Sequence, residues 1–378
     1  MIKIADAFIL QMGKTPARAN EEYWNDGSNP WVSIADLSSY NKYVTETKET
    51  ITDLGVTKSG IKVVPANTVI MSFKLSLGKT AITTTPVYTN EAIMAFIPNG
   101  RYDVDTDYLY HLCSGRDWSK GTNRAVMGAT LNKATLSEIE ISLPPLAEQK
   151  HIADILNKVD ALINHRKEQL SGLDELVKSR FNELFDMQRC QRKTLGECTD
   201  FVDYRGHTPE LSDTGTIRMV NAKSVGKGFF KYIDEFITEE TYESWMHRGF
   251  GYPGDILFVT EGHTFGNTCL IPGDLKKFAL GQRVITIKGH KELLNAFLCS
   301  YMQTDMFWKD INVYRTGGTA QGIRSKDLVK VLVPIPPLQQ QELFAAFAEQ
   351  TNESKLAVQN SIAELEELKK SLMQKYFG

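Results

Sequence analysis

Two stretches of this chain return, in the same order, half a chain later. Gly13-Lys14-Thr15-Pro16 recurs as Gly206-His207-Thr208-Pro209. Leu143-Pro144-Pro145-Leu146-Ala147-Glu148-Gln149 recurs as Ile335-Pro336-Pro337-Leu338-Gln339-Gln340-Gln341. The offset is roughly half of the 378 residues, so the repeat is a duplicated domain and not a short solenoid unit. Each copy runs from a globular segment through a proline stop into a long charged helix. A chain of this kind can read two things held a set distance apart.

The length predicts two or three domains, each able to bury its own core. No apolar run approaches the ~20 residues that span a bilayer. Met1-Ile2-Lys3-Ile4-Ala5-Asp6 lacks the basic and then apolar pattern of a signal peptide. The cysteines at 113, 190, 198, 269 and 299 form no CxxC pair, and their odd number and wide scatter suit a reducing cytoplasm. A net charge of -3 gives no electrostatic footprint for nucleic acid. Acidic residues gather where DNA need not be touched, as at Glu364, Glu366 and Glu367. A DNA-binding face must then be local, or partners must add charge.

Residues 1–145 read as mixed strand and turn. Thr68–Phe73 and Ala92–Ile97 are apolar enough for buried strands, and Glu138–Leu143 alternates as a half-exposed strand. Pro144-Pro145 ends that strand and suits a helix start. Ile152, Leu156, Val159, Ile163, Arg166, Leu170, Leu173, Val177 and Leu184 then fall on a three-four spacing, a coiled-coil stripe. From Leu146 to Phe185 such a helix is about 60 Å long. In the second copy, a turn leads into a strand at Ile256–Val259, and Val284–Ile287 is another strand. Asn295 to Trp308 carries a helical pattern, and Val331, Val333 and Ile335 precede the prolines. Phe344, Ala348, Thr351, Val358, Ile362, Leu365, Leu372 and Tyr376 repeat the stripe.

A charged helix of this length needs its stripe packed against something. The nearest stripe is the other helix. An antiparallel pair alone keeps the connection from 185 to 195 short. The expected fold class is α+β: two homologous globular domains of mixed α/β structure, separated by an antiparallel coiled coil and related by a pseudo-two-fold axis. The expected segments are 1–145 and 187–337 for the globular domains, and 146–186 and 338–378 for the helices.

This arrangement resembles the specificity subunit of type I restriction-modification systems over essentially the whole chain. The residues that carry the resemblance are the two Pro-Pro-Leu-x-x-Gln junctions and the two Gly-x-Thr-Pro motifs, the first followed by Tyr23-Trp24 and Pro30-Trp31-Val32. Gly128-Ala129-Thr130 and Gly317-Gly318-Thr319, before each final strand, add to it. The resemblance implies two target recognition domains, each reading half of a split site in double-stranded DNA. It implies that the helices set the spacer and dock two modification (methyltransferase) subunits, with restriction/translocase subunits joining them. It implies a prokaryotic cytoplasmic protein that needs no membrane. S-adenosylmethionine then belongs to the modification subunit, and ATP and Mg to the restriction subunit, with no cofactor or metal in this chain.

The residues agree that catalysis lies elsewhere. There is no Asn-Pro-Pro-Tyr-like tetrapeptide, no glycine-rich loop for S-adenosylmethionine and no GxxxxGK[ST] phosphate cradle. His151 and His165 read as solvated helix residues. Donors suited to base edges and phosphates are Lys74, Lys79, Thr80, Arg124 and Asn132 in the first copy. In the second they are Arg218, Asn221, Lys223, Lys227, His263, Thr264, Arg315 and Arg324. Taken singly, each is equally a solvated surface residue; the clusters are what count. The Gly-x-Thr-Pro turns and the five tryptophans read as shaped loops and anchors. Coiled-coil and docking positions are Leu146, Gln149, Ile152, Leu156, Val159, Leu170 and Leu173, then Leu338, Gln341, Phe344, Val358, Ile362 and Leu365. The alternative is a coiled-coil adaptor with two protein-binding heads, which would be indifferent to DNA.

Overall fold

The computed structural model describes every residue except 75, 119–130, 188, 205–208 and 316–320. The chain divides into two compact units, Met1–Glu168 with Gln359–Gly378, and Gln169–Val358. The long helices are Leu146–Leu184 and Leu338–Phe377, so each unit holds a stretch of both.

In the first unit a five-stranded sheet has the order Phe8–Met12, Ile93–Pro98, Val69–Ser72, Thr80–Thr83, Tyr43–Val44. All its pairs are antiparallel except the last. Consecutive side chains of a strand leave on opposite faces. Val69 and Met71 accordingly enter one core with Phe96 and Leu10, while Ile70 enters another with Ala81, Ile93 and Ala95. Both faces are covered at the centre of the sheet, which is why residues 69–71 and 93–97 are apolar without a break. A three-stranded sheet carries the pairing Glu49–Ile51 antiparallel to Asn29–Val32, itself parallel to Tyr88–Thr89.

The second unit repeats the plan. Its larger sheet has the order Thr199–Asp203, Val284–Gly289, Ile256–Val259, Thr268–Leu270. Ile256 and Phe258 face one core, Leu257 and Val259 the other. Its smaller sheet again has one antiparallel and one parallel pair: Ile217–Val220 with Phe236–Ile237, and with Phe278–Leu280. The duplication therefore extends to pairing sense in the four strands common to the larger sheets and in the smaller sheets; the parallel fifth strand Tyr43–Val44 has no counterpart among the described residues of the second unit.

Each globular segment is closed by a short antiparallel pair that brings its first and last strands together. These pairs are Ile2–Lys3 with Glu140–Ile141, and Gln191–Thr194 with Leu332–Ile335. The prolines follow immediately and start the long helix. The repeated glutamine then clips the helix to its domain. Gln149 Oε1 accepts from the Asp105 amide at 2.9 Å, and its Nε2 donates to the Asp103 and Pro144 carbonyls at 2.9 and 2.8 Å. Gln341 Oε1 accepts from the Leu294 amide at 2.8 Å, and its Nε2 donates to the Glu292 and Pro336 carbonyls at 3.0 and 2.8 Å. Both side chains are buried, and all three main-chain partners recur.

Within each unit the helix stretches run antiparallel. In the first, Asp160 pairs with Lys369 at 2.6 Å and Lys167 with Glu366 at 3.5 Å. Ile152, Ala153 and Leu156 enter the domain core, where Leu372, Met373 and Phe377 pack. In the second, Asp174 pairs with Lys355 at 2.6 Å. There Phe181, Phe185, Phe297 and Phe344 form an aromatic cluster with centroids 4.7 to 5.6 Å apart.

Two element assignments are corrected. Only Glu140–Ile141 of the alternating stretch is strand, because its partner Ile2–Lys3 is two residues long; Lys133–Glu138 is helix. Asn295 to Trp308 is not one helix. It divides into Asn295–Tyr301 and Asp305–Asn312, where Thr304 caps the second by accepting from the Phe307 amide. The first helix has already ended at Tyr301, and the extended backbone of Thr304 starts the next.

Candidate functional site

The first Gly-x-Thr-Pro turn is held by contacts that require its glycine. A Cβ on Gly13 would lie 2.0 Å from the Thr89 carbonyl oxygen. The Lys14 amide donates to that same oxygen at 2.9 Å, and the Lys14 carbonyl accepts from Trp31 Nε1 at 3.0 Å. Arg18 lies over the Trp24 and Trp31 rings, at 3.8 and 4.8 Å, and pairs with Glu49. Trp118 donates to the Cys113 carbonyl and Trp245 to that of Leu280, so these indoles anchor their own domain. Residues 206–208 of the second copy of the motif, and both Gly-Thr segments near 128–130 and 317–319, lie outside the described residues.

In the first unit, Lys74 and Lys79 stand at either end of the loop joining Val69–Ser72 to Thr80–Thr83. Lys79 is exposed, and the Lys74 ammonium lies 5.3 Å from the Phe73 ring. Thr80 is not a loop residue. It opens the next strand, is buried, and donates to the Gly78 carbonyl at 2.9 Å. Asn132 caps the helix Lys133–Glu138: its Oδ1 accepts from the Thr135 amide at 2.8 Å, so its carboxamide oxygen is committed locally. Arg124 lies outside the described residues.

In the second unit the candidates separate in the same way. Arg218 is stacked between Tyr232 and Phe236, and its guanidinium donates to the Ile233 carbonyl and to Asp234. That arginine is spent inside its domain. Asn221 accepts from the Lys223 amide at 2.9 Å and donates to Glu235 at 2.6 Å, which makes it a cap and not a reader. Lys223 pairs with Glu235 at 2.5 Å, and its hydrogen bond holds that carboxyl below the usual carboxylate range. Lys227, His263, Thr264 and Arg324 are exposed.

Several of these exposed groups share connected elements. His263 and Thr264 sit at the tip of the hairpin between Ile256–Val259 and Thr268–Leu270. Arg315 lies 5.9 Å from the ring of Phe265 in that tip and donates to Asn312. Asn267, two residues on, donates to the Val225 carbonyl at 3.0 Å, which ties this hairpin to the one carrying Lys227. Arg324, at the start of the helix Ser325–Leu328, follows Ile323, whose amide donates to Thr260. Phe229 and Lys231, on the Lys227 hairpin, were not among the sequence candidates. Counting cationic and amide donors passes over an aromatic ring, and only the turn exposes it.

The coiled-coil and docking positions on the helices divide by burial. Gln149 and Gln341 are interior clips, and Ile152, Leu156 and Phe344 are core residues of their units, so none of the five is offered to another chain. Val159 and Val358 are buried too; Leu146, Leu170, Leu173, Ile362 and Leu365 are half-buried. Leu338 is exposed, as are Leu162, Leu176, Leu343, Leu356 and Leu368. Among the described residues, no group of three or more His, Cys, Asp or Glu side chains is placed to hold a metal, and no helix is long and apolar enough to cross a membrane.

Comparison with known proteins gives three findings. The sequence profile of the type I restriction modification DNA specificity domain matches twice, at residues 1–171 and 191–367. The MjaIX specificity subunit of a type I restriction enzyme from Methanocaldococcus jannaschii is 30% identical over 187 residues, covering 48% of this chain and 43% of that protein. The EcoR124I/EcoR124II specificity subunit from Escherichia coli is 29% identical over 184 residues, covering 46% and 44%. The aligned region is thus less than half the length of either relative. Among solved structures, an S subunit of a type I restriction-modification system from M. genitalium superposes with a TM-score of 0.59 at 15% identity, over 100% of this chain and 95% of that one. A chain from a study of complex assembly and conformational transition in the type I R-M system gives 0.58 at 17%, over 100% and 96%. At such identities the likeness is one of fold.

Proposed function

The chain belongs to the family of type I restriction modification DNA specificity domains, and we propose that it is the sequence-reading subunit of such a system. Each globular domain binds one half of a bipartite duplex target. The paired helices set the distance between the halves and dock two modification subunits, which restriction subunits join. This chain does no chemistry. S-adenosylmethionine belongs to the modification subunit, and ATP and Mg to the restriction subunit.

The observation that carries this reading is the matched duplication. Both copies match the same family, repeat the same strand pairing, and end in the same glutamine clip to a long helix. A helix clipped to its domain at three points transmits orientation as well as distance, which a ruler between two readers requires.

The test is methylation mapping. The full chain is co-expressed with its modification subunits in a host free of DNA methylation, and the DNA is sequenced for N6-methyladenine. A split motif methylated on both strands is the expected result. An assembled complex that methylates nothing and binds no duplex with sequence preference would overturn the proposal in favour of the adaptor.

A further inference from the structure

The second unit carries a small basic hairpin between Lys223 and Lys231. From Lys223 to Lys231 there are three lysines and no acidic residue, in a protein whose net charge is -3. Val225 bridges Phe230 across the hairpin, and the Gly226 amide donates to the Phe229 carbonyl at 2.9 Å. Gly228, at φ +83°, takes the left-handed position that lets the chain reverse. The Gly228 amide donates to the Thr268 carbonyl at 2.8 Å, and Asn267 holds the Val225 carbonyl. The tip is thereby pinned beside the hairpin that carries His263 and Thr264.

At this tip a large apolar ring faces outward. Phe229 is 45% exposed. Its other side lies on Gly226, where a Cβ would come within 2.6 Å of the ring. Glycine makes the seat for one side of the ring, and the rest of it reaches solvent. The Lys231 ammonium is 5.4 Å from its centroid, and Lys227 is exposed on the turn. Lys223 is offset by Glu235; among the described residues no acidic partner is seen for Lys227 or Lys231. An exposed aromatic ring with a lysine two residues to each side in sequence suits a nucleotide: the ring takes the base or sugar, and the ammonium groups take phosphates.

We propose that the Lys227–Lys231 hairpin is a DNA contact of the second domain, in which Phe229 packs on a nucleotide and Lys227 and Lys231 neutralise its flanking phosphates. The inference rests on the DNA-binding reading above and names where that binding is anchored.

The test uses the full chain assembled with its modification subunits and a fluorescent duplex bearing the mapped motif. Affinity is read by anisotropy across a salt series for the wild type, Phe229→Ala, Phe229→Trp and the double variant Lys227→Ala/Lys231→Ala. Phe229→Ala should weaken binding at least about fivefold at every salt concentration, the lower bound for losing an aromatic contact to a base, with the salt slope unchanged. Phe229→Trp should restore it. The double variant should reduce the slope of log K against log salt by about 1.8, two phosphates' worth of released counterions. Replacing individual bases with 2-aminopurine separates stacking on a base, which changes its fluorescence, from packing on a sugar, which does not. Phe229→Ala and the double variant both binding within twofold of wild type would overturn the inference and leave DNA reading intact. Loss of modification-subunit assembly in Phe229→Ala, seen by size exclusion, would instead assign the ring to a protein contact. A wild-type complex with no affinity for the duplex would refute the DNA reading itself.

Discussion

Replacing Gln341 by alanine tests the idea that the repeated glutamine is an internal clip. The substitution removes one acceptor and two donors, and leaves the Leu294 amide and the Glu292 and Pro336 carbonyls without their partner. A buried polar group stripped of its hydrogen bond costs about 1–3 kcal/mol, so three groups bound the loss at roughly 3–9 kcal/mol. Water entering the vacated space recovers part of this, and the lower end, about 3 kcal/mol, is the expected value. For a unit of this size, that lowers Tm by roughly 6–12 °C. Scanning calorimetry of the full chain measures it, and the transition lowered should be that of the second unit. Gln149→Ala should lower that of the first. Hydrogen exchange supplies a local readout, since the Leu294 amide should lose protection. Gln341→Glu should do more harm than alanine at neutral pH, because a carboxylate faces two carbonyls and donates to neither. A Tm shift below about 2 °C for Gln341→Ala, with Leu294 still protected, would refute the reasoning.

Other expectations follow from the same packing. His111 is buried, meets Asn157 Oδ1 through Nε2 at 2.8 Å, and has no partner at Nδ1 among the described residues. Burial holds its pKa below the ordinary value near 6.5. Its share of stability is therefore complete above that value and is lost as pH falls toward the folded-state pKa. His111→Gln should flatten the acid limb of a Tm-against-pH curve, and superimposable limbs would contradict this. Phe344→Ala should cost about 3–5 kcal/mol in urea unfolding, against under about 0.5 kcal/mol for its exposed neighbour Leu343→Ala; equal effects would mean the aromatic cluster is not the anchor. On the proposed function, removing two matched turns, seven residues, from both long helices shortens the spacer by about 10 Å, near three base pairs, and keeps both half-sites. Methylation mapping of the variant checks this; altered half-sites with the old spacer would defeat the ruler.

The long helices were legible because a three-four stripe behind a proline stop has few other solutions. Leu146 and Leu338 open the helices where the junctions place them. The buried strands were legible for a similar reason, since a sheet covered on both faces must be apolar throughout. The candidate reading surface was legible only in part. Lys79, Lys227, His263 and Thr264 stand exposed, while Thr80, Asn132, Arg218 and Asn221 are occupied within their own domain. A donor in the sequence carries no mark of whether a carbonyl, a cap or a carboxylate lies beside it.

That this chain is two copies of one design, each a domain with a helix attached, can be read from its residues alone. Repetition, proline stops and hydrophobic period are local properties of the chain, and they survive without knowledge of contacts. What the repeated glutamine is for and which cations stand exposed emerge only from the folded contacts. So does the aromatic ring at the tip of a lysine-rich hairpin. Each of those depends on which main-chain groups from distant parts of the sequence come within hydrogen-bond reach, and no spacing along the chain encodes that distance.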